Sequence, residues 1–265
     1  MPFFTPTPPI SLFYTTTGSP TNPPILLIHG WTADSHDWSW QIPFLAPNYH
    51  VIAMDVRGHG RSSAPTDVSY TIPTLVEDAA GLLRHLNLTN VVVIGHSMGG
   101  LITSKLAIEE PELVKAIAMA DPPCWQPDAL CDQLIGWADA SPDIYAWLAE
   151  FGKLYAAPAV PEWMNTWIGR RAEGTPQHAI RECLKACYGE GAPGRESVHL
   201  KTVAGRKQPR LAVYAKAEDA EKERALGMGE KDMVDVLEGV GHWIMMMESE
   251  KFNGMLGKWL DGLEK

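Results

Sequence analysis

The 265-residue chain has no run of eighteen apolar residues, so no membrane-spanning helix is expected. It has no basic excess either: 22 Lys and Arg stand against 32 Asp and Glu, for a formal net charge of -10. That balance disfavours nucleic acid and anionic membranes as partners. Cysteine is sparse. Cys124, Cys131, Cys183 and Cys187 lack C-x-x-C spacing and read as free thiols packed in the interior. The nine histidines form no H-E-x-x-H and no ligand cluster, so no metal and no cofactor is implied. Repeats, low-complexity tracts and long charge runs are missing too. MPFFTPTPPISLFY lacks the basic and apolar regions of a secretion signal, and GKWLDGLEK matches no retention tag. A cytoplasmic location is the expectation.

What is present is a rhythm. Hydrophobic residues make up 45% of the chain, enough for a substantial core. Proline is dense before Ile25, which suits a leading loop and an edge hairpin around ISLFYTTTGSP. Short buried strands are then expected at Ile25 to Ile28, Tyr49 to Met54, Val91 to Ile94 and Val114 to Ala120. Between them, Leu75, Ala79, Leu82, Leu83 and Leu86 recur at helical spacing, with Thr74 and Glu77 as a capping box. The rhythm breaks at Asp121 and resumes with RLAVYA and DMVDVLEG, before an amphipathic last helix. The expected fold class is α/β, with a mostly parallel central sheet and helices on both faces. Residues 1–121 and 208–265 form its core. Residues 122–207 read as a helical lid inserted in that core, carrying Trp125, Trp137, Trp147, Trp163 and Trp167.

The chemistry centres on NVVVIGHSMGG. A β-branched run leads into a serine with glycine two places before and two places after, and a helical pattern follows. Strand, sharp turn and helix place Ser97 at a strained corner, the nucleophile elbow G-x-S-x-G. A serine hydroxyl needs a general base, and the base needs an orienting carboxylate. His242, in the glycine-flanked loop of LEGVGHW, is the candidate base. Asp219, in AKAEDAE after RLAVYA, is the preferred acid; Asp121 and Glu218 are the alternatives. The backbone N–H groups of Met98 and Trp31 are the candidate oxyanion donors. Trp31 and Trp125 are candidate substrate-binding residues; of the lid tryptophans, either two or more line the pocket or they pack the lid on the sheet.

HGW at 29–31, DVRGHGRS at 55–62, GHSMGG at 95–100 and GVGHW at 239–243 resemble the α/β-hydrolase superfamily. They look most like its serine esterase, lactonase and haloperoxidase-like branch. The resemblance implies that Asp55, Arg57 and Gly58 stabilise a loop and take no part in catalysis. It also implies that epoxide hydrolases and haloalkane dehalogenases are poor comparisons, since they place aspartate at the elbow. The acid loop departs from the family pattern: Lys216 stands where glycine is usual. The resulting expectation is a hydrolase of a carboxylic ester or lactone acting through an acyl-enzyme, its partner a bulky apolar or aromatic small molecule. A C–C bond hydrolase or perhydrolase with the same serine apparatus is one alternative. A slow-turnover ligand receptor on this scaffold is the other.

Overall fold

Six aliphatic runs become the parallel part of one sheet. In chain order the strands are β1 (Phe3–Phe4), β2 (Leu12–Thr17), β3 (Pro24–Ile28), β4 (His50–Met54), β5 (Val91–His96), β6 (Val114–Ala120), β7 (Arg210–Tyr214) and β8 (Met233–Val236). The computed structural model describes residues 2–153 and 160–264. Their order across the sheet is β1-β2-β4-β3-β5-β6-β7-β8. β3 through β8 pair in parallel, whereas β2 runs antiparallel to β4 and β1 antiparallel to β2. Ile25 to Ile28 are all fully buried, as a strand covered on both faces requires.

The two-residue period of each strand splits these side chains between two cores. After the short α1 (Ile42–Leu45) come α2 (Ile72–His85) and α3 (Met98–Glu109), which Leu26, Ile28, Val91 and Val93 face. Ile25, Leu27, Val92 and Ile94 face the last helix, Ser249–Leu263, which buries Phe252, Leu256, Trp259 and Leu260. The helix expected from Leu75 starts earlier than the proposed capping box. Thr71 is its N-cap, without a side-chain hydrogen bond, and Pro73 lies in its first turn. Proline needs no N–H partner there, so the turn forms two residues before Thr74.

Between β6 and β7 the described residues are helical. They form α4 (Asp128–Ala140), α5 (Ile144–Lys153), α6 (Glu162–Gly174), α7 (Gln177–Tyr188) and α8 (Glu196–Thr202). Proline starts three of these helices: Pro127, Pro161 and Pro176 are the N-caps of α4, α6 and α7. After β7 the chain forms α9 (Ala217–Ala225). No helix among the described residues is long and apolar enough to cross a membrane. All four cysteines are buried and free. The strand order reverses around β3, and the C-terminal ends of β3, β5 and β6 meet there, where open α/β sheets place their ligands.

Candidate active site

Ser97 stands between β5 and α3 with φ 52° and ψ -120°, a conformation strained for a residue with a Cβ. The flanking glycines explain how the corner closes. A Cβ on Gly95 would lie 2.1 Å from the Gly99 carbonyl oxygen, and one on Gly99 would lie 2.2 Å from that of Ile28. Only glycine permits strand and helix to approach so closely.

The loop after β3 is pinned by His29. Its Nε2 accepts the Val56 N–H at 2.8 Å, so the neutral ring carries its hydrogen on Nδ1, which donates to the Gly30 carbonyl at 2.7 Å. Trp31 and Thr32 follow, Thr32 with φ 55°. The N–H groups of Trp31 and Met98 have no hydrogen-bond acceptor among the described residues. Met98 opens α3, where the helix leaves its N–H groups unpaired. Both residues line a cavity of about 450 Å³ together with Ser97 and His242.

His242 follows β8 in a loop bent at Gly239 (φ 77°) and Gly241 (φ 69°). Its Nδ1 meets Asp121 Oδ2 at 2.6 Å. The pairing expected from sequence, Asp219 with His242, is corrected here. Only Ala215 and Lys216 separate β7 from α9, so Glu218 and Asp219 are held in the first turn of that helix. Glu218 is drawn outward, 3.5 Å from Lys222. Burial raises the Asp219 carboxyl, Lys216 opposes the rise, and the charge on Asp121 adds to it. Asp121 instead ends β6 with φ 46°. Its N–H donates to the Val213 carbonyl at 2.8 Å, and its Oδ1 accepts the Ala215 N–H at 2.9 Å. The carboxylate is thereby locked facing the histidine.

The cavity walls are mainly apolar. Trp31 and Trp243 contribute from the sheet side; Tyr145, Phe151, Ile168 and Tyr188 contribute from the helical segment. Trp125 does not line it. That indole is buried, donates to the Tyr214 hydroxyl at 3.2 Å and packs edge-on against His199. Trp137, Trp147, Trp163 and Trp167 also lie outside the lining among the described residues. Trp147 is spent on packing, stacked against Phe151 at 4.9 Å. The reading in which two or more of these tryptophans line the pocket is not met; smaller side chains of the same helices face the cavity.

One group of possible metal ligands occurs among the described residues: Cys124, His199 and Glu223, with ligand atoms within 4.8 Å of one another. Glu223 already accepts from Arg206, from Arg210 at 2.6 Å and from the Tyr214 hydroxyl at 2.9 Å. A cation there would sit beside two guanidiniums, so the group fits a buried ion-pair cluster better than a metal centre.

The model of the alpha/beta hydrolase fold family matches residues 23–240. The chain belongs to that family. Among curated relatives of this α/β-hydrolase, bifunctional epoxide hydrolase 2 of Sus scrofa is 36% identical over 118 residues, 44% of this chain and 21% of that protein. The non-heme haloperoxidase of Rhodococcus erythropolis is 44% identical over 101 residues, 38% of this chain and 36% of that protein. These matches span less than two thirds of the relatives' lengths. An esterase from Exiguobacterium antarcticum superposes with a TM-score of 0.80 at 24% identity, over 95% of this chain and 96% of that one. At that identity the likeness speaks for the fold. The loop residues assigned to stability keep to that work: Asp55 accepts the N–H groups of Ser35 and Arg61, and Arg57 forks onto Asp78 at 2.8 and 2.7 Å.

Proposed function

We propose that this α/β-hydrolase cleaves a carboxylic ester or lactone of a bulky apolar or aromatic small molecule through an acyl-enzyme on Ser97. The observation that carries the reading is the 2.6 Å contact of Asp121 with His242 Nδ1, His242 lining the same cavity as Ser97. Asp121 holds the ring at Nδ1, which makes Nε2 the nitrogen that acts as base. His242 takes the Ser97 proton as the oxygen attacks the acyl carbon. The unpaired N–H groups of Met98 and Trp31 receive the developing oxyanion. His242 then passes the proton to the leaving alcohol, and water repeats the sequence on the acyl-enzyme. The apolar walls and the volume of about 450 Å³ support a substrate larger than acetate esters. An esterase of the same fold supports the reading.

The test is covalent. Fluorophosphonate treatment followed by peptide mass spectrometry should place one adduct on Ser97, and His242→Ala should abolish it. Folded wild-type protein that takes up no label at Ser97 rules the reading out. A panel of aryl esters and lactones of increasing acyl size then measures the substrate class.

A further inference from the structure

Two buried polar groups beside Ser97 have no part in the steps above. His96 is the last residue of β5, 1% exposed. Its Nε2 lies 3.1 Å from the His242 carbonyl oxygen. A carbonyl only accepts, so His96 Nε2 carries a hydrogen and, in the neutral ring, Nδ1 is a lone pair. That lone pair faces Asp37 Oδ2 across 3.6 Å, and neither atom has a hydrogen-bond partner among the described residues. Asp37 lies in the short 3-10 turn Ser35–Trp38 and is fully buried. Its other oxygen pairs with Arg171, whose guanidinium also lies 3.6 Å from Asp34 and sits over the Trp167 ring. Arg171 belongs to α6, in the helical segment. A continuous line thus runs from that segment, through Asp37 and His96, to the backbone of His242.

We infer that Arg171, Asp37 and His96 are positioning residues that hold the His242 loop in register with Ser97, so that seating α6 on the sheet is a condition for turnover. The inference rests on the hydrolase reading. The loop is bent at two positive-φ glycines, which impose no conformation of their own. Asp121 steadies the His242 ring, and His96 steadies the backbone of the same residue. Arg171 keeps His96 available for that contact. Burial would raise the Asp37 carboxyl, but the Arg171 guanidinium holds it well below the usual carboxylate range. Burial lowers His96, against the pull of Asp37, which agrees with a neutral ring. Without Arg171, a bare carboxylate is left buried. His96 is the group placed to answer it, by taking a proton on Nδ1 and closing the 3.6 Å gap. That movement draws Nε2 away from the His242 carbonyl.

The experiment compares wild type with Arg171→Ala, Arg171→Lys and the double variant Asp37→Asn/Arg171→Ala, using p-nitrophenyl butyrate turnover and the rate of fluorophosphonate labelling. In Arg171→Ala, kcat and the labelling rate should fall about tenfold or more, with KM changed less than about threefold, the pattern of a misplaced catalytic group. Lysine should recover most of the loss. The double variant should be less impaired than Arg171→Ala, because no stranded carboxylate remains to recruit His96. A raised KM with unchanged kcat, or losses that multiply in the double variant, overturns the inference. If Arg171→Ala does not fold, His96→Phe and His96→Gln decide: glutamine keeps a donor for the carbonyl and should exceed phenylalanine in kcat, whereas equal rates overturn it. Wild type that neither labels nor turns over ester defeats the hydrolase reading instead. Wild type that reacts while Arg171→Ala reacts equally fast defeats this inference alone.

Discussion

The floor and the roof of the cavity use glycine in opposite ways. In the floor, Gly30, Gly95, Gly99 and Gly100 are crowded, each with a neighbouring atom within 3 Å of where a Cβ would stand. In the helical segment, Gly136, Gly169 and Gly174 have nothing within 4 Å of that point. The floor is closely packed, by backbone at Gly95 and Gly99 and by side chains at Gly30 and Gly100, and leaves no room for a Cβ. The roof is set by apolar faces of short helices, where many sequences of similar pattern would serve. The lesson is that a strained backbone corner demands local sterics, whereas a pocket wall demands only surface.

The sharpest way to probe this contrast is to remove a charge from the floor. Asp121→Asn should lower kcat about 10⁴-fold, as loss of the orienting carboxylate does in serine triads. Asp219→Asn, one helix turn from the sheet, should change it less than about twofold. Steady-state kinetics on one ester separates the two, and equal losses would return Asp219 to the site. Next in size is a Cβ in the floor. Gly99→Ala drives a methyl against the Ile28 carbonyl and should cost about 3 kcal/mol or more in urea unfolding. A near-neutral result would mean that the corner can relax.

Smaller is an acid effect centred on His199, the buried imidazole behind the Pro122 to Cys124 stretch. Burial lowers it from 6.5 to about 4. A histidine that stays neutral in the folded state binds fewer protons than the unfolded chain between those values. Its contribution is complete above the unfolded value and is lost as pH falls toward the folded one. Lowering pH from about 7 to about 5 should therefore remove on the order of 2 kcal/mol through this group. His199→Phe should flatten that slope in thermal denaturation; an unchanged slope would assign it elsewhere, for instance to His59, which burial lowers to about 3. Smallest is a Cβ in the helical segment. Gly136→Ala, exposed within α4, should gain roughly 0.5–1 kcal/mol, measured by the same unfolding assay. A loss there would mean that the helical segment is as tightly specified as the floor.

Much of the fold was legible because its signals are local. Val114 to Ala120 alternates into the sheet over the residues its aliphatic run marked, and β3, β4 and β7 differ from their runs by one residue at an end. The start of α2 was misjudged because Thr74 and Glu77 form an attractive cap, while Pro73 favours an earlier first turn. In the site, the serine corner and the bent histidine loop were visible as glycine spacing. Trp125 misled because a large aromatic near a strand end suits a pocket or a core equally well. Only its partner, the buried Tyr214 hydroxyl, places it in the core.

The sequence by itself determined the parallel sheet, the strained Ser97 corner and a glycine-bent loop presenting His242, since each depends on residues within a few positions of one another. The tertiary structure alone decided which carboxylate meets the histidine, which side chains of the helical segment line the cavity, and that His96 and Asp37 stand between Arg171 and His242. The physical reason is reach. Asp121 and His242 are 121 residues apart, and their 2.6 Å contact depends on how far β6 runs before it ends and how soon α9 begins after β7. No local pattern carries those two lengths; the packing of one strand end against another does.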